Sequence, residues 1–240
     1  MTAPGAAGPF RRQHHNSIFA ALNELDGDML LAAECYFGGG TAVALMLDEY
    51  RQSVDIDFLC ASQAGYRKLR HELWGRPGLD GLLRAGAALE TLRDVRADQY
   101  GIRTVIGVGD AAIRFEIIRE ARIPLAGAMD HRFGVPILAR HCLYAEKLLA
   151  NADRWNDRAV LSRDIIDLSM MVLRWGPVPE AAWALAEAAY GDAVRRAHDA
   201  AIMRIRDEGW LEHCLSGLAM EAGLGQEILG LHGGPLIPEP

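Results

Sequence analysis

The residues best suited to chemistry sit in two short runs: Phe37-Gly38-Gly39-Gly40-Thr41, and then Asp55-Ile56-Asp57-Phe58. A glycine turn lets backbone N–H groups approach an anion, and a helix starting just behind it adds a favourable field. Successive side chains of a strand alternate faces, so Asp55 and Asp57 share one face while Ile56 and Phe58 point into a core. Two adjacent carboxylates repel each other unless a cation sits between them. Mg²⁺ suits that place because it takes a few carboxylates together with phosphate oxygens and water. Each run alone says little, since D-x-D also describes two solvated acids on a strand edge. Their order and spacing together point to phosphate and metal chemistry on nucleotides.

The surrounding pattern supplies elements to position them. A strand over 35–37 runs into the glycine turn, a helix follows over 42–50, and a second strand spans 53–60. Upstream, Ile18, Phe19, Leu22 and Leu25 have helical spacing over 14–25. A helix over 64–74 is stopped by Gly75-Arg76-Pro77-Gly78, and the pattern turns β from 89 to 123, with a hairpin turn at 107–111. A loop is expected over 124–136, and helices over 137–152, 159–175 and 180 to about 223. The expected fold is α+β, a mixed β-sheet with flanking helices followed by an all-helical C-terminal part. The expected division is a disordered arm at 1–10, an α+β domain at 11–132, a helical domain at 133–232 and a loose tail at 233–240.

Composition narrows the function classes. The chain has 240 residues, 50% hydrophobic and 24% charged, enough for a sizeable core. A net charge of −7 argues against sequence-blind nucleic-acid binding. A local basic groove stays open, because 23 arginines stand against two lysines, Lys68 and Lys147. Cys35, Cys60, Cys142 and Cys214 are scattered without zinc spacing and read as reduced, buried thiols. The N-terminus lacks the apolar core of a secretion signal. No apolar run reaches the roughly 20 residues of a membrane span. A cytoplasmic protein that does not enter the membrane is expected. The histidines lack metal-ligand spacing, and His14-His15 is expected to be solvated. Neither a G-x-S-x-G elbow nor a Walker-type loop occurs.

The chain resembles the nucleotidyltransferases of the AbiEii/AbiGii toxin type, within the DNA polymerase β-like superfamily. The resemblance rests on Gly39-Gly40-Thr41-Ala42, on Arg51-x-Ser53-x-Asp55-Ile56-Asp57-Phe58, on Glu146-Lys147-Leu148-Leu149-Ala150 and on Arg163-Asp164-Ile165-Ile166-Asp167-Leu168. It implies that Gly39, Gly40 and Thr41 meet nucleotide phosphates, with Arg51 and Ser53 flanking the carboxylate strand. Asp55 and Asp57 would ligate Mg²⁺, two ions in all, and Lys147 would reach the triphosphate of an NTP substrate. Asp164 would be the acidic residue of the last motif. The superfamily's third carboxylate is assigned to Glu116, which points away from the core-facing Phe115 and Ile117. The implied reaction moves a nucleoside monophosphate to an acceptor hydroxyl, with RNA such as tRNA as acceptor and a cognate antitoxin as partner.

Structural roles compete at several positions. Glu116 could pair with Arg114 on the surface, and Lys147 could be a solvated helix lysine. Asp164 and Asp167, i and i+3 on one helix face, could brace a salt-bridged helix, with Arg163 reaching Asp167. Arg51 could meet a phosphate or cap the strand region. Three readings follow: transfer to RNA, transfer to a small molecule or protein, and non-catalytic nucleotide binding. An RNA acceptor needs basic surface, for which Arg154, Arg158, Arg195, Arg196, Arg204 and Arg206 are the helical candidates.

Overall fold

The computed structural model describes residues 8–234, so the start of the expected arm and the end of the expected tail lie outside the described residues. The chain forms two compact units. One comprises the chain up to Ala42 together with Val54–Ala139; the other comprises Val43–Ser53 and everything from Arg140. The expected boundary at 132/133 falls inside the first unit, ahead of its last strand.

The first unit is built on a mixed sheet. Its strands are β1 (Cys35–Gly38), β2 (Asp55–Cys60), β3 (Glu90–Thr91), β4 (Arg96–Ala97), β5 (Gly101–Val108), β6 (Ala111–Arg119), β7 (Gly127–Asp130) and β8 (Val135–Leu138). Their order is β3-β5-β6-β2-β1-β8-β7, with β4 also paired to β5. β2 runs antiparallel to β1 and parallel to β6. The helices α1 (Gln13–Glu24), α2 (Gly27–Ala32) and α4 (Gln63–Glu72) belong to this unit, whereas α3 (Gly39–Met46) crosses its boundary.

Strand alternation sorts the sheet as the residues predict. Ile56, Phe58, Ile113, Phe115 and Ile117 are fully buried, and Asp55, Asp57 and Glu116 between them are half-exposed. The rings of Phe37, Phe58 and Phe115 cross β1, β2 and β6 at centroid separations of 5.6 and 6.0 Å, which ties the central strands through aromatic packing.

Three local expectations fail. The loop expected over 124–136 contains the hairpin β7–β8, and Ile137 ends up in a strand rather than opening a helix. Short runs such as Gly127-Ala128-Met129-Asp130 carry little strand propensity of their own; pairing of β8 beside β1 imposes their form. His15 is fully buried, with its ring edge-on to Phe10. Phe10 itself is fixed, since its backbone N–H donates to Asn16 Oδ1 at 2.9 Å and its carbonyl accepts from Asn16 Nδ2 at 2.8 Å.

The second unit is helical: α5 (Arg140–Arg154), α6 (Arg163–Trp175), α7 (Glu180–Tyr190), α8 (Ala193–Ile205), α9 (Glu208–Gly217) and α10 (Gly223–Leu231). α5 packs against α6, α7 and α8. The long helical stretch expected from 180 breaks at Gly191 and Asp207, the latter capping α9 by accepting from the Trp210 N–H. All four cysteines are buried as thiols. No helix among the described residues is long and apolar enough to cross a membrane.

Candidate active site

Gly39, Gly40, Thr41, Asp55, Asp57 and Glu116 fall in the sheet unit; Arg51, Ser53, Lys147 and Asp164 fall in the helical unit. In the sheet unit, β1 delivers the glycine turn directly beside β2, with Gly38 opposite Asp57. The helix begins at Gly39, earlier than expected, so the glycines form its first turn. Gly39 has φ +67°, and a Cβ there would stand 2.7 Å from Asp57 Oδ2. Only glycine lets the turn take that backbone form with the Asp57 carboxylate lying against it. Gly39 and Gly40 are half-exposed, whereas Thr41 is buried.

Strand pairing places Glu116, the expected third carboxylate, next to β2. Asp57 is the register partner of Glu116 on the parallel strand β6, and Asp55 is the partner of Arg114. Arg114 does not pair with Glu116; it clamps Asp55, with Nη2 at 2.5 Å and Nε at 3.2 Å. The hydrogen bond to Asp55 raises the Arg114 guanidinium further above its ordinary value. Glu116 lies 3.9 Å from Arg103 on β5 and also acts on the Arg114 charge.

These oxygen donors suit a hard divalent cation, and they share a face without converging. Among the described residues no group of three or more acidic, histidine or cysteine side chains is spaced to hold a metal ion. Mg²⁺ commonly rests on one or two carboxylates and completes its shell with substrate phosphates and water. Arg114 and Arg103, at 55% and 39% side-chain exposure, lie at the surface and have room to swing off the acids.

In the helical unit the motif residues assemble into a buried ion cluster. Lys147 Nζ lies 3.0 Å from Asp164 Oδ1 and 2.5 Å from Asp167 Oδ2. Arg51 grips Asp167 through Nε at 2.6 Å and Nη2 at 3.0 Å, and the Tyr50 hydroxyl donates to the same carboxylate at 2.5 Å. Arg154 grips Asp164 through Nε at 2.6 Å and Nη2 at 3.0 Å. Burial alone would raise both carboxyls; Lys147 and Arg154 outweigh it at Asp164, as Arg51 and Lys147 do at Asp167, and both are held below the ordinary range. Burial and the Asp167 charge push the Tyr50 hydroxyl upward. Lys147 is therefore not a solvated helix lysine, and Asp167 bonds Arg51 and Lys147 across the unit. Ser53 is buried as well.

Two features of this cluster were not expected. It sets three cations, Arg51, Lys147 and Arg154, against two carboxylates. Asn151 lies on the Lys147 face of α5 by i, i+4 spacing, and its buried Nδ2 has no hydrogen-bond partner among the described residues. Tyr50 carried no sequence signal, because only the tertiary fold brings it to Asp167. Three of the other helical arginines are engaged within the unit, while Arg158 lies over the Trp210 ring and no carboxylate pairs with Arg158 or Arg196 among the described residues. Arg195 pairs with Glu187, Arg204 donates to Trp155 O and Asn156 Oδ1, and Arg206 donates to Gly234 O.

A mixed sheet with flanking helices, carrying a glycine turn beside paired strand carboxylates, defines a nucleotidyltransferase-like protein. The family profile described as "Nucleotidyl transferase AbiEii toxin, Type IV TA system" matches residues 21–221. The chain belongs to that family of nucleotidyltransferases. No curated protein matches it. Solved structures with partial likeness include MenT4, a nucleotidyltransferase toxin of Mycobacterium tuberculosis H37Rv, at 17% identity and TM-score 0.42, over 81% of this chain and 66% of that one. This chain therefore spans slightly less than two thirds of the MenT4 chain. JHP933 from Helicobacter pylori is another, at 15% identity and TM-score 0.38, over 88% of this chain and 99% of that one.

Proposed function

We propose that this chain transfers a nucleoside monophosphate from an NTP to a hydroxyl of an RNA acceptor, as the cytoplasmic toxin of a toxin–antitoxin pair. The observation that carries the reading is the register of Asp57 with Glu116 on parallel strands, beside Asp55 and against the Gly39 turn. It supports Glu116 as the candidate third carboxylate.

Asp57, with Asp55 or Glu116, would hold Mg²⁺, which when bound supplies charge neutralisation at the phosphates. Gly39 and Gly40 offer the half-exposed backbone at the start of α3 to the phosphates. Glu116, loosely neighboured by Arg103, takes the proton of the acceptor hydroxyl on a carboxylate oxygen. The freed oxygen bonds the α-phosphorus, the bond from that phosphorus to the α–β bridging oxygen breaks, and pyrophosphate leaves. Catalysis of this kind is mostly positioning and charge neutralisation.

Arg51, Asp164 and Asp167 act as positioning residues, because Arg51 is spent on Asp167 and Asp164 on Lys147 and Arg154. Arg51 fixes the segment that leads through Ser53 into β2. The Lys147 ammonium, held between Asp164 and Asp167, braces the helical unit.

The test is incubation of the purified protein with each α-labelled NTP, Mg²⁺ and total RNA. Label is expected in an RNA band. Label on protein or on a small molecule instead would move the acceptor to the second reading, and NTP binding without any transfer would leave a non-catalytic binder.

A further inference from the structure

The sheet unit holds a second cluster of cations that the carboxylate site does not use. A cavity of about 170 Å³ is lined by Gln63, Tyr66, Arg67, Arg70, Gln99, Tyr100 and Arg119. No acid is among these residues. Arg67 and Arg70 come from α4 at i, i+3 spacing, which places them on one helix face. Arg119 comes from the end of β6. Among the described residues no carboxylate pairs with any of the three guanidiniums and no side-chain hydrogen bond engages them. Arg51, Arg114, Arg122 and Arg154, by contrast, each grip a carboxylate.

The cavity wall is built rather than incidental. Tyr66, buried, donates its hydroxyl to the Asp98 carbonyl at 2.7 Å and pins the 98–100 turn against α4. The Asp98 carboxylate accepts from the N–H groups of Tyr100 at 2.7 Å and Gly101 at 3.0 Å through Oδ1, and its Oδ2 lies 3.7 Å from Arg103, so most of its charge is engaged outside the cavity although Arg70 also feels it. That turn leaves the Tyr100 ring 65% exposed at the rim. Arg70 also lines a second cavity, together with Trp74, 86% exposed, Arg76 and the acid Asp94.

We infer that this surface docks single-stranded RNA: the arginine cavity takes a backbone phosphate and Tyr100 stacks a base. The inference rests on the RNA-acceptor reading and gives it a location. Unpaired guanidiniums in a cavity free of acid favour an oxyanion. The volume falls below the roughly 300 Å³ of ordinary small-ligand sites, so it suits a phosphodiester rather than a whole nucleotide. Cationic grooves flanked by exposed aromatics are how proteins hold single strands without reading sequence. Gln63 and Gln99 add amide donors and acceptors at the rim. Arg119 and Glu116 both lie on β6, at an odd spacing of three that puts their side chains on opposite faces of the strand, so a bound single strand passes round the end of β6 to reach the carboxylates.

The experiment is fluorescence anisotropy of a short labelled oligouridylate with the full chain, repeated over a salt series. Wild type is expected to bind, with the R67A/R70A/R119A protein losing most of that affinity. The log–log salt slope should flatten by about 2, three contacts on a single strand at ~0.7 each. Tyr100→Ala should weaken binding about 5- to 100-fold, and Tyr100→Phe should restore it. Thermal melts accompany each variant, and the exposed single changes Arg67→Ala and Tyr100→Ala keep the test open if the triple variant fails to fold. The inference is overturned by no binding to wild type, by undiminished binding to the variants, by equal competition from polyglutamate, or by displacement with inorganic phosphate at matched concentration. NTP binding by calorimetry should be unchanged in the variants. Loss of oligouridylate binding in variants of a protein that never labels RNA would uphold this surface and refute the transfer reaction.

Discussion

Lys147 shows how tertiary context decides a residue's role. Its motif implies a side chain reaching for a triphosphate, yet its ammonium lies buried between Asp164 and Asp167. Removing one partner of such a cluster strands the others in low dielectric. Lys147→Met should therefore lower unfolding stability by about 3–5 kcal/mol, read by urea denaturation at neutral pH. The pH dependence has a definite sign. Burial would raise the Asp167 carboxyl, but Arg51 and Lys147 hold it below its ordinary value. A depressed folded pKa gives stability that is complete above the unfolded value of about 3.9 and is lost as pH falls toward the folded one. The stability gap between wild type and Asp167→Asn should be constant from neutral pH to about pH 5 and should shrink below about pH 4. A gap that does not change down to the acid limit would contradict the ionised cluster.

At the scale of elements, the glycine turn is the part that sequence and structure describe in nearly the same terms. Strand, turn and helix were legible because Gly38-Gly39-Gly40 interrupts two apolar runs of different period. The reason for glycine at 39 was not, because it depends on the neighbouring strand: φ is +67° and a Cβ would meet Asp57 Oδ2. Gly39→Ala should cost about 1–3 kcal/mol in stability. By shifting Asp57 it should cut transfer by up to about 100-fold, with the melt and the labelled-NTP rate measured on one preparation. Normal rates would mean that the Asp57 position is not critical. The alternation in β2 and β6 was equally legible, since buried and half-exposed residues follow period 2. Pairing of Asp57 with Glu116 required the register, and β7–β8 required the sheet, because β7 has no strong β-former and the four residues of β8 are interrupted by Pro136.

At the scale of the molecule, the chain divides where no composition shift marks it. Val43–Ser53 groups with the helices because Tyr50 and Arg51 bond Asp167, more than a hundred residues further on. Charge is also local: a net −7 coexists with a cavity lined by Arg67, Arg70 and Arg119. The basic surface expected from the helical arginines is mostly engaged in bonds within that unit, and the sheet unit offers the freer cations. The central claim remains the carboxylate face of the sheet. The measurement that tests it most directly is the rate of transfer from labelled NTP to RNA by Asp57→Asn, with a thermal melt confirming that its fold matches wild type. The account predicts a folded protein with no detectable transfer; turnover at the wild-type rate would contradict it.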